Sequence, residues 1–279
     1  MVSSFSAEVL KLRKRPATWI IGLLFAAALV LFGYVFTYVF TINASGQAAP
    51  PQQAVDQILQ SLLPESMIIN VLSNFTNFGS ALALVLGALA VGSEYGWDTF
   101  KVSLTQRPGR IQFLLGKLAA IGVVVAILNA LMLGIAAISS YVIASAEDAA
   151  VEWPGFGELL EGFAAGWLIL MTFAAMGFFF ATLFKSSALA ITLGLVYLLV
   201  LESLFIGLSQ TSETVSDIAS ALPFKNSSDL IQHFGEIPLI FGGAPGEAVE
   251  PSRAAITLVI YTVAFLALSV LLFKRRDQS

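Results

Sequence analysis

The chain has 279 residues, 57% of them hydrophobic and only 11% charged, where soluble globular chains carry about a quarter charged. That composition excludes a water-soluble domain of this length, and also the disordered, collagen-like and disulfide-scaffold classes. Zero cysteines exclude disulfides, thiolate metal sites and cysteine nucleophiles, one histidine (His233) leaves little room for imidazole ligation, and the net charge of -4 averages basic segments with acidic ones.

In chain order, Val2, Phe5, Val9 and Leu12 fall on one helical face, with Lys11, Arg13, Lys14 and Arg15 following before Pro16. An apolar stripe edged by cations predicts an amphipathic helix lying at the membrane surface. A hydrocarbon core of about 30 Å then asks for about 20 apolar residues per helix. Six runs qualify: Ala17–Ile42, Met67–Gly92, Leu118–Ser145, Gly162–Phe184, Ala188–Leu208 and Ala254–Phe273, with Glu202 the one formal charge inside them. The first is too long for a signal-peptide core and is expected to stay as a spanning helix.

Twelve of the fourteen Lys and Arg lie in the N-terminal stretch, the second and fourth loops and the C-terminal tail, while Lys225 and Arg253 share the other side with thirteen acids. The positive-inside rule therefore puts both termini in the cytoplasm. Between the spans no loop holds a soluble domain: the longest, Ser209–Arg253, has 45 residues. In the first outer loop Val55, Ile58, Leu59 and Leu62 recur at helical spacing up to Pro64, which predicts a short surface helix. In the fifth loop Thr214 with Asp217, and Asn226 with Asp229, have N-cap spacing, and Gly235 follows. Two short helices roofing the outer face are expected there.

Polar residues within the spans are few and so informative. Asn70, Ser73, Asn74 and Asn77 form a stripe at the start of the second span, unfavourable against lipid, which faces a partner helix or a wet route. Glu202, close to the outer end of the fifth span, is either a pathway residue or simply reaches an outer vestibule or accepts a hydroxyl hydrogen bond. Asn129, in the middle of the third span, reads as an interhelical hydrogen-bond donor.

The second loop is compact and mixed in charge. Trp97, Phe100 and Leu104 fall three and four apart, a short amphipathic helix closed by Pro108-Gly109, suited to a protein partner or to headgroups. The run Gly92-Ser-Glu-Tyr-Gly-Trp-Asp-Thr-Phe100, then Leu104-Thr-Gln-Arg-Pro-Gly-Arg110 and Leu114-Leu-Gly-Lys117, resembles the loop of bacterial ABC transporter permeases of the ABC type 2 export family. Glu8-Val-Leu-Lys-Leu-Arg-Lys-Arg-Pro16 and Phe273-Lys-Arg-Arg-Asp277 are similar to that family's ends. The motifs cover about fifty residues, and Asp98-Thr99 replaces the family's usual Gly-Thr.

The resemblance implies an all-α, six-span permease subunit of a prokaryotic plasma membrane, made of one transmembrane domain without a nucleotide-binding domain. It also implies pairing with ABC ATPase subunits and with a second permease copy or homologue, contact with membrane lipid, and no nucleic-acid partner. The loop would be the coupling helix seated on the ATPase, with Glu94 as its membrane-side anchor and Trp97, Asp98, Thr99, Phe100, Lys101, Leu104, Arg107 and Arg110 at the contact. Asn70, Asn74, Asn77 and Glu202 would line the route. Phe5, Val9, Leu12, Arg13, Lys14 and Arg15 would make the interfacial helix.

No phosphate loop occurs in the chain: Gly116-Lys117 is preceded by Ile111 where glycine is required and followed by Leu118 rather than Ser or Thr. ATP and magnesium would therefore belong to the partner, with no cofactor and no catalytic residue here. Two other readings stand beside this one. A self-contained secondary transporter or channel would bury several ionisable groups, and a non-transporting ABC-type sensory or assembly subunit would share the coupling helix.

Overall fold

The computed structural model describes residues 2–43, 51–96, 110–209, 212–235 and 249–275. Among them every regular element is helical, as expected where no water is present to satisfy an open backbone. Helix α1 (Val2–Lys14) leads into the first span, α2 (Pro16–Asn43). A short helix α3 (Gln52–Ser61) precedes the second span, α4 (Pro64–Ser93). The third and fourth spans are α5 (Arg110–Ala146) and α6 (Phe156–Phe184). The fifth is α7 (Ser187–Leu208), followed by α8 (Glu213–Ala221), α9 (Pro223–Ile231) and the sixth span, α10 (Pro251–Arg275). Six of these helices are long and apolar enough to cross a membrane.

The sequence also sets where they start and stop. Proline opens α2, α9 and α10, where its missing N–H costs nothing. Glu158 accepts a hydrogen bond from Gly155 N (3.1 Å) at the start of α6. Lys185 in the left-handed conformation (φ 53°) ends α6, and Ser186 Oγ accepts from Leu189 N (3.3 Å) to begin α7.

Two spans form the interior and four surround them. In α4 and α6, 67% of the most apolar window is buried, against 17–33% in the other spans. Helix α6 packs on α4, α5, α7 and α10. The outer helices keep broad apolar faces outward, with residues such as Leu23, Ile138 and Ile260 more than half exposed, which in water would be an aggregation surface and in a bilayer is the lipid face.

The α4–α6 contact depends on glycine at two facing positions. A Cβ on Gly87 would overlap the Ala174 carbonyl of α6, and one on Gly177 would overlap the Leu84 carbonyl of α4. The two backbones approach closely enough that side chains are excluded, which maximises dispersion contact where no hydrophobic effect drives helix association. Around this centre, polar side chains bond across helices. Asn129 Nδ2 donates to Phe163 O (2.7 Å), Trp167 Nε1 to Gly122 O (3.0 Å), and the hydroxyls of Thr172 and Thr262 lie 2.8 Å apart. Asn129 is thus the interhelical donor its position implies.

Three spans carry a π-helical turn: Leu29–Val35 in α2, Phe75–Gly79 in α4 and Tyr197–Glu202 in α7. Each adds a residue to a turn and rotates the following helix face, a deviation often kept for function. At the first, Thr37 Oγ1 donates to Phe32 O five residues back (2.9 Å), and Phe32 stacks on Phe78 of α4 with ring centroids 5.0 Å apart.

Replacing Gly87 or Gly177 with leucine is expected to prevent accumulation of folded protein, since overpacking alone costs about 1–3 kcal/mol and here backbone must move. Gly134, whose Cβ would meet nothing within 4 Å, should accept alanine. Detergent-extracted yield and melting temperature of fluorescent-protein fusions check both, and normal accumulation of Gly177→Leu would contradict the packing argument.

Candidate functional site

At the end of the bundle that carries α1, three elements meet in a buried ion cluster. Glu8 (3% exposed) accepts hydrogen bonds from Lys117 of α5 at Oε2 (3.0 Å) and from Lys11 at Oε1 (2.7 Å). Lys117 (1% exposed) also donates to Ala90 O of α4 (3.0 Å), and Arg15 Nη1 donates to Leu89 O (3.3 Å). The cluster ties α1 to the last turns of α4 and the first turns of α5. Burial pushes the Glu8 carboxyl up, but Lys117 and Lys11 outweigh it and hold it below its ordinary value of 4.5.

The cluster modifies the reading of the N-terminal helix. Leu12 is buried with Glu8, Phe5 and Val9 are half-buried, and α1 packs on α5, so part of the stripe expected at the membrane surface meets protein. Arg13 and Lys14 remain exposed. Lys117, expected in a loop, lies inside the third span, Leu114–Ala146. Its anion, Glu8, is 109 residues away along the chain, a separation at which no spacing argument operates.

On either side of the second loop the described helices run to Gly96 and from Arg110. Glu94 falls in the last turn before it and Arg110 opens α5. The expected contact residues Trp97, Asp98, Thr99, Phe100, Lys101, Leu104 and Arg107 lie outside the described residues.

At the opposite end, the asparagine stripe is turned into protein. Asn70 (1% exposed) donates from Nδ2 to Gly33 O of α2 (3.1 Å), and Asn74 (0%) donates to Asn70 O (3.0 Å) and Oδ1 (3.2 Å). Asn77, half-buried, donates to Ser73 O (2.9 Å). Gly33 is required here: its Cβ would stand 2.7 Å from Asn74 Nδ2. The pair therefore bonds the second span, just before its own π-helical turn, to the π-helical turn of the first.

Glu202 is also buried (1% exposed), and its Oε2 accepts from Phe224 N at the start of α9 (3.0 Å). The carboxylate thus occupies the positive N-terminal end of a short helix. Helix α9 touches both the asparagine-bearing turns of α4 and the π-turn of α7, so it stands between the stripe and Glu202.

The loop helices depart from the expectation in two respects. Helix α8 begins at Glu213 after Ser212, and α9 at Pro223 after Leu222, rather than at Thr214 and Asn226. Proline presets the first helical φ and so starts α9 earlier, and Asn226 instead donates to Ser220 O and Leu222 O (both 2.8 Å), closing the corner between the helices. Helix α8 lies on the surface as a roof does, but α9 is buried from Lys225 to Ile231 and packs chiefly on α10. Its charges are matched within the helix, where Lys225 Nζ bonds Asp229 Oδ1.

A family model described as a protein of unknown function (DUF2705) matches residues 60–279. The chain belongs to this family. The DUF2705 match takes in the second to sixth spans, the glycine contact, Lys117, the asparagine stripe, Glu202 and α9, whereas Glu8 and Gly33 precede it. No curated protein matches the chain.

Two outcomes follow from these geometries. Because Glu8 is held below its ordinary value, the stability it contributes is complete above the carboxylate range and is lost as pH falls through the lowered value. Protection of the α1 amides against hydrogen exchange, taken relative to the intrinsic rate at each pH, should hold down to the ordinary carboxylate range and fall below it. Lys117→Met, which takes from the buried carboxylate its partner on α5, should release α1 at neutral pH at a cost of up to about 3–5 kcal/mol, with Glu8→Leu added to it restoring part; unchanged protection of α1 in Lys117→Met would contradict the cluster's role. At the other end, Glu202→Ala removes the acceptor of Phe224 N and should lower stability by about 1–3 kcal/mol, while Glu202→Gln, which keeps an acceptor, should lose much less in thermal melts.

Proposed function

We propose that the chain is the membrane-spanning permease subunit of an ATP-driven ABC type 2 exporter, paired with a second copy or homologue and powered by separate ATPase subunits in a prokaryotic plasma membrane. One observation carries the reading. The described parts of the second and third spans lie on either side of the segment 97–109, which holds much of the family-like motif, and α1 is locked across those two helices by Glu8, Lys117 and Ala90. A partner pressing on that segment meets a stiff unit, and the displacement passes up α4, the helix most tightly packed on α6.

In this mechanism both termini are cytoplasmic, and the coupling helix of Trp97, Phe100 and Leu104 sits on the ATPase, flanked by Asp98, Thr99, Lys101, Arg107 and Arg110, with Glu94 beneath it. ATP and magnesium stay in the partner. Closure of the ATPases moves the inner ends of spans two and three, and the spans exchange between inward- and outward-facing arrangements. Asn70, Asn74, Asn77 and Glu202 then border the outer part of the route, with α9 between them.

A second reading, an ion-driven secondary transporter, draws on the burial of Glu202, Lys225 and Asp229 near one end of the bundle. Purification in mild detergent separates the two. The coupled reading expects an ATPase to co-elute in fixed stoichiometry, with recovery falling about tenfold or more in the Trp97→Ala/Phe100→Ala variant, since buried aromatics dominate such interfaces. A protein that elutes alone and moves solute along an ion gradient in vesicles would overturn it.

A further inference from the structure

An apolar cavity of about 350 Å³ lies between α1, α2 and α5 and opens on the lipid-facing side of the bundle. We infer that it holds one acyl chain of an anionic phospholipid whose phosphate is bound by Arg13. The inference requires only that the spans cross a membrane, and it stands apart from the ATP-driven reading.

The dimensions support an acyl chain. Along α5 the lining runs from Val124 to Ile135, about 16 Å at the helical rise of about 1.5 Å per residue, which is about half of a hydrocarbon core of about 30 Å. The cavity is one leaflet deep. Gly22 and Leu128 both line it, and α2 and α5 approach closely there: a Cβ on Gly22 would stand 3.3 Å from Leu128 Cδ2. The rim residues Leu23 and Ile127 are 71% and 54% exposed, leaving the groove open to lipid along its side.

The charge specifies the headgroup. The end of the cavity nearest α1 is lined by Arg13, Thr18 and Trp19, and Trp19 Nε1 donates to Arg13 O (2.7 Å), fixing an indole where aromatic rings favour the interface. No carboxylate among the described residues pairs with the Arg13 guanidinium, and exposed Lys14 follows it. A guanidinium matches phosphate oxygens with two parallel hydrogen bonds, and neighbouring cations favour a lipid with net negative charge. Cation and groove lie at the depths of a headgroup and its chain.

The test is native mass spectrometry of the full chain released from bilayer discs containing phosphatidylglycerol and phosphatidylcholine in equal amounts. The wild-type chain should retain one phosphatidylglycerol in preference to phosphatidylcholine. Arg13→Gln should reduce that preference about tenfold, the loss of a charge-assisted phosphate contact, while Arg13→Lys keeps part of it. Gly22→Leu, which fills the groove, should release lipid of both kinds. Equal retention of the two lipids by the wild-type chain, or an unchanged preference in Arg13→Gln, would overturn the inference. So would a disulfide between copies through Leu131→Cys in native membranes, which would give the groove to a second protein chain.

Discussion

A polar group at bilayer depth has no water to fall back on, so each one must find its partner within the protein. Most of what is specific in this fold follows from that constraint. Asn70 reaches a carbonyl on the first span, Asn129 one on the fourth, Thr172 a hydroxyl on the sixth, and Glu202 the first amide of a buried helix. These bonds link spans that apolar packing alone would leave free to slide, because lipid tails solvate leucine as well as another helix does. The glycine contact between α4 and α6 supplies the complementary part: dense packing at the centre, with directional bonds around it.

The two ends of the bundle apply the same constraint differently. At the α1 end, charge is buried as a cluster that joins three elements, and removing either Glu8 or Lys117 takes away the ion pair that links α1 to α5. At the other end, α9 brings lysine, asparagine, serine and aspartate into the interior, satisfying them largely within its own turns and at the α8 corner. Its attachment to α7 runs through a π-helical turn carrying Glu202. The first arrangement favours movement as a unit. The second sets a short helix between the spans, packed chiefly on α10 and bonded to α7 through Glu202.

The six spans were legible because each is a run of apolar residues long enough to cross a membrane, a signal independent of tertiary context. Asn129 and the asparagine stripe were legible as well, since an amide in lipid-depth sequence must face protein, although the sequence left open which helix receives it. The Glu8–Lys117 pair was not, because each residue looks like an ordinary flank until the fold brings positions 109 residues apart together. Gly87 and Gly177 are lost in a chain with 22 glycines, and π-helical turns carry no residue signature. The burial of α9 runs against its polar composition, which reads as a surface helix unless its neighbours are known. The Trp97 segment, where the family resemblance is densest, rests on sequence alone.

The central claim is that α1 and the inner ends of the second and third spans form one stiff unit that carries motion from a partner ATPase. Pulsed electron-spin distance measurements on the purified complex test it directly, with labels at exposed Leu10 of α1 and exposed Leu115 of α5, and a second pair joining Leu115 positions across the two permease copies. The account predicts that ATP leaves the first distance unchanged and shifts the second. An ATP-dependent separation of Leu10 from Leu115, or two distances both indifferent to nucleotide, would contradict it.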